Sequence, residues 1–171
     1  MKRIGLILGI FVILICSYLL IRINFKTEET HTYAIEHYIE YNHLYMGNAS
    51  NLSQLFHRLP LSEKGLTLEI FPESYSVKIN YAVLEEKHLP TLEKQIKYNS
   101  IVAFSLIDNL EHITYNFDSQ FYSLSRQTVK KWFDLPLRDL LLQHTWDKEV
   151  LNKYDDLQFL EKWDGLIKTI R

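Results

Sequence analysis

Cysteine is all but missing: the 171 residues hold one, Cys16. A lone thiol forms no internal bridge, so no disulfide framework staples this fold. A hydrophobic core has to hold it, and the length suffices for one ordinary domain. Glycine (5) and proline (4) are also scarce. With no Gly/Ser-rich tract, no flexible linker divides the chain. Neither charge sign dominates, with 19 Lys and Arg against 21 Asp and Glu, for a formal net charge of -2. No basic stripe follows a phosphate backbone, which argues against a nucleic-acid partner. Catalytic signatures are missing as well. There is no H-E-x-x-H, no cysteine pair, and no G-x-S-x-G or S-x-x-K in a suitable frame. These absences predict a protein that is not an enzyme and carries no cofactor and no metal.

What the chain does have is a long uncharged run at its start. Residues 4–21 read IGLILGIFVILICSYLLI, without one charge. That is about the length that crosses the hydrocarbon layer as a helix. A cleaved signal peptide has a shorter apolar core followed by small residues. Here the run continues through Tyr18-Leu19-Leu20-Ile21 with no A-x-A pattern. Ile15 before Cys16 does not fit a lipoprotein signal. The run therefore predicts a retained, single-pass signal-anchor that contacts the lipid bilayer through residues 4–21. Only Met1, Lys2 and Arg3 precede it, which favours the amino terminus inside and the rest of the chain outside. The expected organisation is a transmembrane anchor over 1–26, a juxtamembrane segment over 27–44 and an extracytoplasmic α+β domain over 45–171. The expected location is the plasma membrane of a bacterium.

The remainder alternates between two periodicities. Residues 27–48 are rich in Tyr and His, and fit a helical start that turns extended toward Tyr45. Leu52, Leu55, Phe56 and Leu59 fall at i, i+3, i+4 and i+7, a helical stripe that Asn48 or Ser50 can cap and Pro60 ends. Residues 66–71 and 75–83 alternate like strands, and Pro72-Glu73-Ser74 between them predicts an antiparallel hairpin. Pro90 opens a helical run whose second half, Ile101 to Ile107, is apolar nearly all round, which predicts a central helix; the same stretch also reads as a strand. Residues 112–117 alternate as a third strand. Ser125 caps a helix carrying Val129, Trp132 and Phe133, and Leu137, Leu140 and Leu141 form a further turn. Trp146, Val150, Tyr154, Leu157, Leu160, Trp163, Ile167 and Ile170, at gaps of three and four with a break at Asp155-Asp156, predict one or two carboxy-terminal helices. The expected fold class is α+β: a hairpin plus a third strand packed on a central apolar helix and the C-terminal helices.

Three stretches carry a resemblance. Tyr45-Met46-Gly47-Asn48-Ala49-Ser50-Asn51 with Leu59-Pro60-Leu61 resembles the opening of a Gram-positive bacterial family, the domain of unknown function 4825. Ala103-Phe104-Ser105-Leu106-Ile107-Asp108-Asn109 before Ile113-Thr114-Tyr115 is similar to its second hallmark. Tyr122 to Trp132 is similar to its Ser-capped helix. Ala49 stands where that family usually has a polar residue. The resemblance implies a membrane-anchored accessory or sensory role, alone or appended to sensor-type membrane metallopeptidases. It implies no catalytic residue.

The candidate site is therefore a turn, made of Tyr45, Gly47, Asn48 and Ser50. Gly47 is expected in a backbone region closed to other residues, and free helix N–H groups beyond it could meet an anion or a peptide carboxylate. A plain capped turn explains the same residues. His31, His37 and His43 recur every six residues, which turns each by ~240° on a helix and gives no shared face. The expected function is a membrane-tethered, non-catalytic extracytoplasmic domain that binds a membrane protein or an envelope ligand. One alternative is a wall glycan or peptide binder using exposed Tyr33, Tyr38, Tyr41, Trp132 and Trp163. A second is an envelope hydrolase, with carboxylates such as Asp108 and Glu111 across a cleft.

Overall fold

A computed structural model describes Ile15, Ser17, residues 33–82, 89–118 and 120–154, Gly165 and residues 167–170. Contacts divide the chain into two units, Met1–Ala34 and Ile35–Arg171. In the first, Ile15 and Ser17 are helical and exposed. Everything below concerns the second.

Two 3-10 turns, Ile35–His37 and Ile39–Tyr41, open it and bury Ile35, Tyr38 and Tyr41. Helix α1 (Ala49–Arg58) follows and buries Leu52, Leu55 and Phe56, the stripe read from the sequence. Strands β1 (Leu66–Phe71) and β2 (Ser76–Tyr81) form the expected antiparallel hairpin around Pro72–Ser74. Helix α2 (Leu89–Leu106) then carries the chain to β3 (His112–Phe117), which lies parallel to β2. A parallel pair needs a crossover of a dozen or more residues, and α2 supplies it. β3 turns directly into antiparallel β4 (Gln120–Ser125). Short helices α3 (Arg126–Lys130) and α4 (Gln143–Trp146) follow, with a 3-10 turn over Leu137–Leu141 between them. A π turn (Asp147–Leu151) and Asn152–Tyr154 extend α4, and β5 (Ile167–Ile170) pairs with β4. The mixed sheet thus runs β1-β2-β3-β4-β5.

The alternation in each strand decides the two faces of this sheet. One face presents Val77, Ile79, Tyr81, Ile113, Tyr115, Phe117, Tyr122 and Leu124, all buried. Ile101, Val102, Ala103, Phe104 and Leu106 of α2 are buried too, so its all-round apolar half forms the core. Tyr81 stacks on Phe117 at 4.7 Å and Tyr98 meets Trp146 edge-on at 5.8 Å. Inside this core Ser100 Oγ bonds the Ile96 carbonyl at 2.9 Å and the Tyr115 hydroxyl at 2.9 Å. Asn99 Nδ2 donates to the Pro60 carbonyl at 2.7 Å.

The expected architecture is corrected on three counts. Among the described residues no helix is long and apolar enough to cross a membrane. The longest, α2, carries Glu93, Lys94 and Lys97 in its first half, where Leu92 and Ile96 alternate with them into the core, and its second half is buried all round. The uncharged run over 4–21 lies outside the described residues apart from Ile15 and Ser17. Second, the sheet is larger than three strands. β4 adds Tyr122 and Leu124 to the covered face, and pairing with β3 satisfies a backbone edge that would otherwise be open. Third, the carboxy-terminal helical pattern stops early. Trp146, Val150 and Tyr154 do lie on helical turns, but Ile167–Ile170 is a strand, since β4 offers it a ladder of backbone bonds. The intervening residues 155–164 lie outside the described ones.

Candidate functional site

The turn singled out by the sequence is well defined, and most of its polar groups are used by the fold itself. Asn48 Oδ1 accepts from the Asn51 N–H at 3.1 Å and caps α1. Asn51 Nδ2 reaches back to the Tyr41 carbonyl at 2.8 Å. Ser50 Oγ accepts from Gln54 Nε2 at 3.0 Å. Gly47 corrects the expectation placed on it. Among the described glycines positive φ belongs to Gly65 and Gly165, and a Cβ at Gly47 would meet nothing within 4 Å. The bend there comes from the Asn48 cap and the Ala49 N–H bond to the Gly47 carbonyl at 3.0 Å, so no special backbone region is needed. All four residues are exposed, and Tyr45, at 63% exposure, has its ring edge-on to His43.

Sequence reasoning missed the partner of this turn. Asn109, just past the end of α2, accepts from the Met46 N–H through Oδ1 at 2.6 Å. His43 makes a parallel bridge with Ile107, its N–H donating to the Leu106 carbonyl at 2.9 Å. Arg126 closes the other side. Its side chain is buried, donates from Nε to the Leu110 carbonyl at 2.7 Å and from Nη2 to the Ile107 carbonyl. Its guanidinium lies over the Phe104 ring at 5.5 Å. Burial pulls the Arg126 guanidinium below its ordinary value, opposed by the Glu111 and Asp108 carboxylates. A buried guanidinium is tolerable because its donors are matched by backbone carbonyls in the turn just past α2. Asp108 in turn pairs with Arg138 at 2.5 Å. The three stretches that carry the resemblance thus converge on the end of α2 as a clasp.

The second region is the other face of the sheet. Glu69 accepts from Lys78 at 3.1 Å and from Asn80 at 2.7 Å, and Asn80 accepts from Asn116 at 2.7 Å. The bond from Asn80, then that from Lys78, holds the Glu69 carboxyl below the ordinary carboxylate value. Toward one end of this face opens a pocket of about 480 Å³, lined among others by Ser76, His112, Thr114, Ser123, Ser125 and Thr128. Its rim includes Gly165 and Ile167 of the carboxy-terminal segment. Gly165 has φ 91°, and a Cβ there would stand 2.6 Å from Thr128 Cγ2, so this position requires glycine. The signal in sequence was the outward set of each strand: Ser76, Lys78 and Asn80 on β2, then His112, Thr114 and Asn116 on β3. Register, which sequence does not give, sets Ser76 beside His112 and His112 beside Ser125.

Among the described residues no group of three or more His, Cys, Asp and Glu could hold a metal ion. His37 and His43 stand on different turns, and His31 lies outside the described residues. Of the rings considered for glycan stacking, Tyr38 and Tyr41 are buried, Tyr33 and Trp132 half-buried, and Trp163 lies outside the described residues.

A clasped crossover helix over one face of a five-stranded mixed sheet, with mostly polar side chains on the opposite face, defines an α+β domain. No curated protein and no solved structure matches the chain. A family model does, over residues 38–128: the chain belongs to the family described as Domain of unknown function (DUF4825). The matched stretch contains the whole clasp and ends at Thr128, before Gly165 and β5.

Proposed function

We propose that this domain is a non-catalytic accessory or sensory module that binds a membrane protein or an envelope ligand outside the cytoplasm. The observation that carries the reading is the asymmetry of the sheet: one face is closed by α2, and the other presents mostly polar, half-buried side chains around a pocket. Concave sites with a few convergent polar groups are where proteins take ligands. The pocket's described lining brings five hydroxyls and one imidazole beside Ile113, Leu124 and Ile167, and no carboxylate among them. A glycosidase needs two carboxyl groups flanking its bond, so this lining favours binding over hydrolysis. Contact with a bilayer through residues 4–21 and a plasma-membrane location belong to the same proposal, and rest on the uncharged run. Asn48 and Ser50 are exposed but already hydrogen-bonded within the loop and α1, so Tyr45 is the side chain of that turn offered to a partner.

The test is purification of the intact protein from detergent-treated membranes after mild crosslinking. A membrane protein or wall component should be recovered in fixed stoichiometry. Repeated recovery of the chain alone, from cells in which it is abundant, overturns the proposal.

A further inference from the structure

The pocket on the open face has a chemical character that narrows its ligand. Ser76, Thr114, Ser123, Ser125 and Thr128 contribute five hydroxyls and His112 an imidazole. Internal bonds use only part of this capacity: Thr114 with Ser123 at 3.3 Å, Ser125 with the Thr128 hydroxyl at 2.9 Å and, as a cap, with the Thr128 N–H at 3.1 Å, Ser76 with Ser74 at 2.6 Å. Each hydroxyl donates once and accepts twice, so the array still offers both donors and acceptors. None of the described lining residues is Asp, Glu, Lys or Arg. On the neighbouring positions of this face, Glu69 and Lys78 neutralise each other at 3.1 Å. A charged ligand entering here would leave water without gaining an opposite charge.

Strand topology separates two neutral ligand classes. A peptide typically binds a sheet by adding a strand to a free edge. The pocket lies over β3 and β4, and both are already paired on both sides. Recognition there has to go through side chains, which suits a molecule carrying its own hydroxyls. Beside the lining, on the neighbouring strand β1, lies a flat apolar side chain. Phe71 pairs with Ser76, which is beside His112, on the same face of the sheet, and its ring is 44% exposed. The C–H face of a sugar ring stacks on such a surface while its hydroxyls reach the array.

We propose that this pocket binds one uncharged sugar residue of an envelope glycan, with Ser76, Thr114, Ser123 and Ser125 as hydrogen-bonding partners and Phe71 as the stacking ring. The proposal rests on the reading of the domain as a ligand-binding module, and assigns that module its ligand class. Gly165 and Ile167 complete the rim from beyond the family-matched residues, so the sugar site is a property of this chain's carboxy-terminal strand.

The test is a titration of the full-length, isotope-labelled chain, in detergent, followed by backbone amide resonances. Three probes are compared: a neutral trisaccharide of N-acetylglucosamine, a trisaccharide of galacturonic acid, and capped trialanine. The neutral sugar should shift the amides of Thr114, Ser123 and Ser125 saturably, with a dissociation constant on the order of 1 mM. The acidic sugar and the peptide should not. Ser123→Phe fills the pocket from the solvent side and should weaken binding at least tenfold with the circular dichroism spectrum unchanged. Should Ser123→Phe not fold, Phe71→Ala at an exposed site should weaken the same binding several-fold. No saturable shift at the pocket with the neutral sugar overturns the assignment. So does equal binding of trialanine or the acidic sugar there, an outcome that leaves the module reading standing. The module reading fails separately, through the recovery of no partner from crosslinked membranes.

Discussion

The clasp at the end of α2 and the pocket on the open sheet face are both built from small polar side chains, yet they do opposite things with them. At the clasp, Asn48, Asn51, Asn109 and Arg126 spend their donors and acceptors on backbone groups that helix ends and loops leave unpaired. At the pocket, hydroxyls bond one another and keep capacity toward solvent. The difference teaches that a recognisable polar motif marks a structural device when its partners are main-chain groups within the domain. A less distinctive row of serines and threonines keeps more of its capacity toward solvent, even though Ser125 within it also caps α3.

The comparison breaks most visibly at alkaline pH. Burial raises the Tyr115 phenol well above its ordinary value of 10.0, with the neighbouring Tyr81 adding to the shift, and burial raises Tyr81 likewise. A folded-state pKa above the unfolded one gives stability that is complete below about pH 10 and is lost as pH rises through the folded value. The domain should therefore unfold cooperatively on the alkaline side, tyrosinate absorbance and loss of circular dichroism rising together for these rings. Tyr115→Phe and Tyr81→Phe combined should move that transition to higher pH; an unchanged transition would show that the covered face does not control it.

Arg126→Met is next in size. It leaves the Leu110 carbonyl without its Arg126 donor and the Ile107 carbonyl with the Leu110 N–H as its remaining one, and should cost about 3 kcal/mol in urea unfolding. Arg126→Lys should recover only part, since an ammonium lacks the planar fork. A loss below about 0.5 kcal/mol, the range of ordinary surface changes, would mean that the clasp holds without its buried cation.

The loop itself gives a contrast of two substitutions. Asn109→Ala orphans the Met46 N–H and should cost ~1–2 kcal/mol. Gly47→Ala meets open space at ordinary φ and should be neutral or stabilise by up to ~1 kcal/mol through the unfolded chain. A large loss at Gly47 would restore the special backbone that the structure denies it.

The smallest effect lies on the open face. Glu69 is held low by Asn80 and Lys78, so its contribution exists above the unfolded carboxylate value and disappears as pH falls through the folded one. Because it is exposed, the change should be visible in the carboxyl resonance of Glu69 rather than in stability. Asn80→Ala should raise that midpoint toward the ordinary value.

Local pattern made much of this legible. The α1 stripe, its Asn48 cap, the Pro72 turn, the Ser125 cap and the apolar half of α2 all rest on neighbours within four residues, where sequence spacing is geometry. β4 was legible in principle, as Tyr122 and Leu124 alternate with Phe121 and Ser123, but the cap at Ser125 drew that stretch into a helix. Ile167–Ile170 followed a helical spacing and became a strand because tertiary pairing outweighs weak local preference.

The sequence by itself determined which side chains avoid water, where most helices and strands begin, and that no disulfide holds them, because those depend on composition and short-range period. Tertiary structure decided that β2 and β3 run parallel, that Asn109 and Arg126 meet the loop around Met46, and that Ser76, His112 and Ser125 share a row with Gly165 on its rim. Such contacts join residues tens of positions apart, and their partners are fixed by strand register and helix placement, which no local spacing encodes.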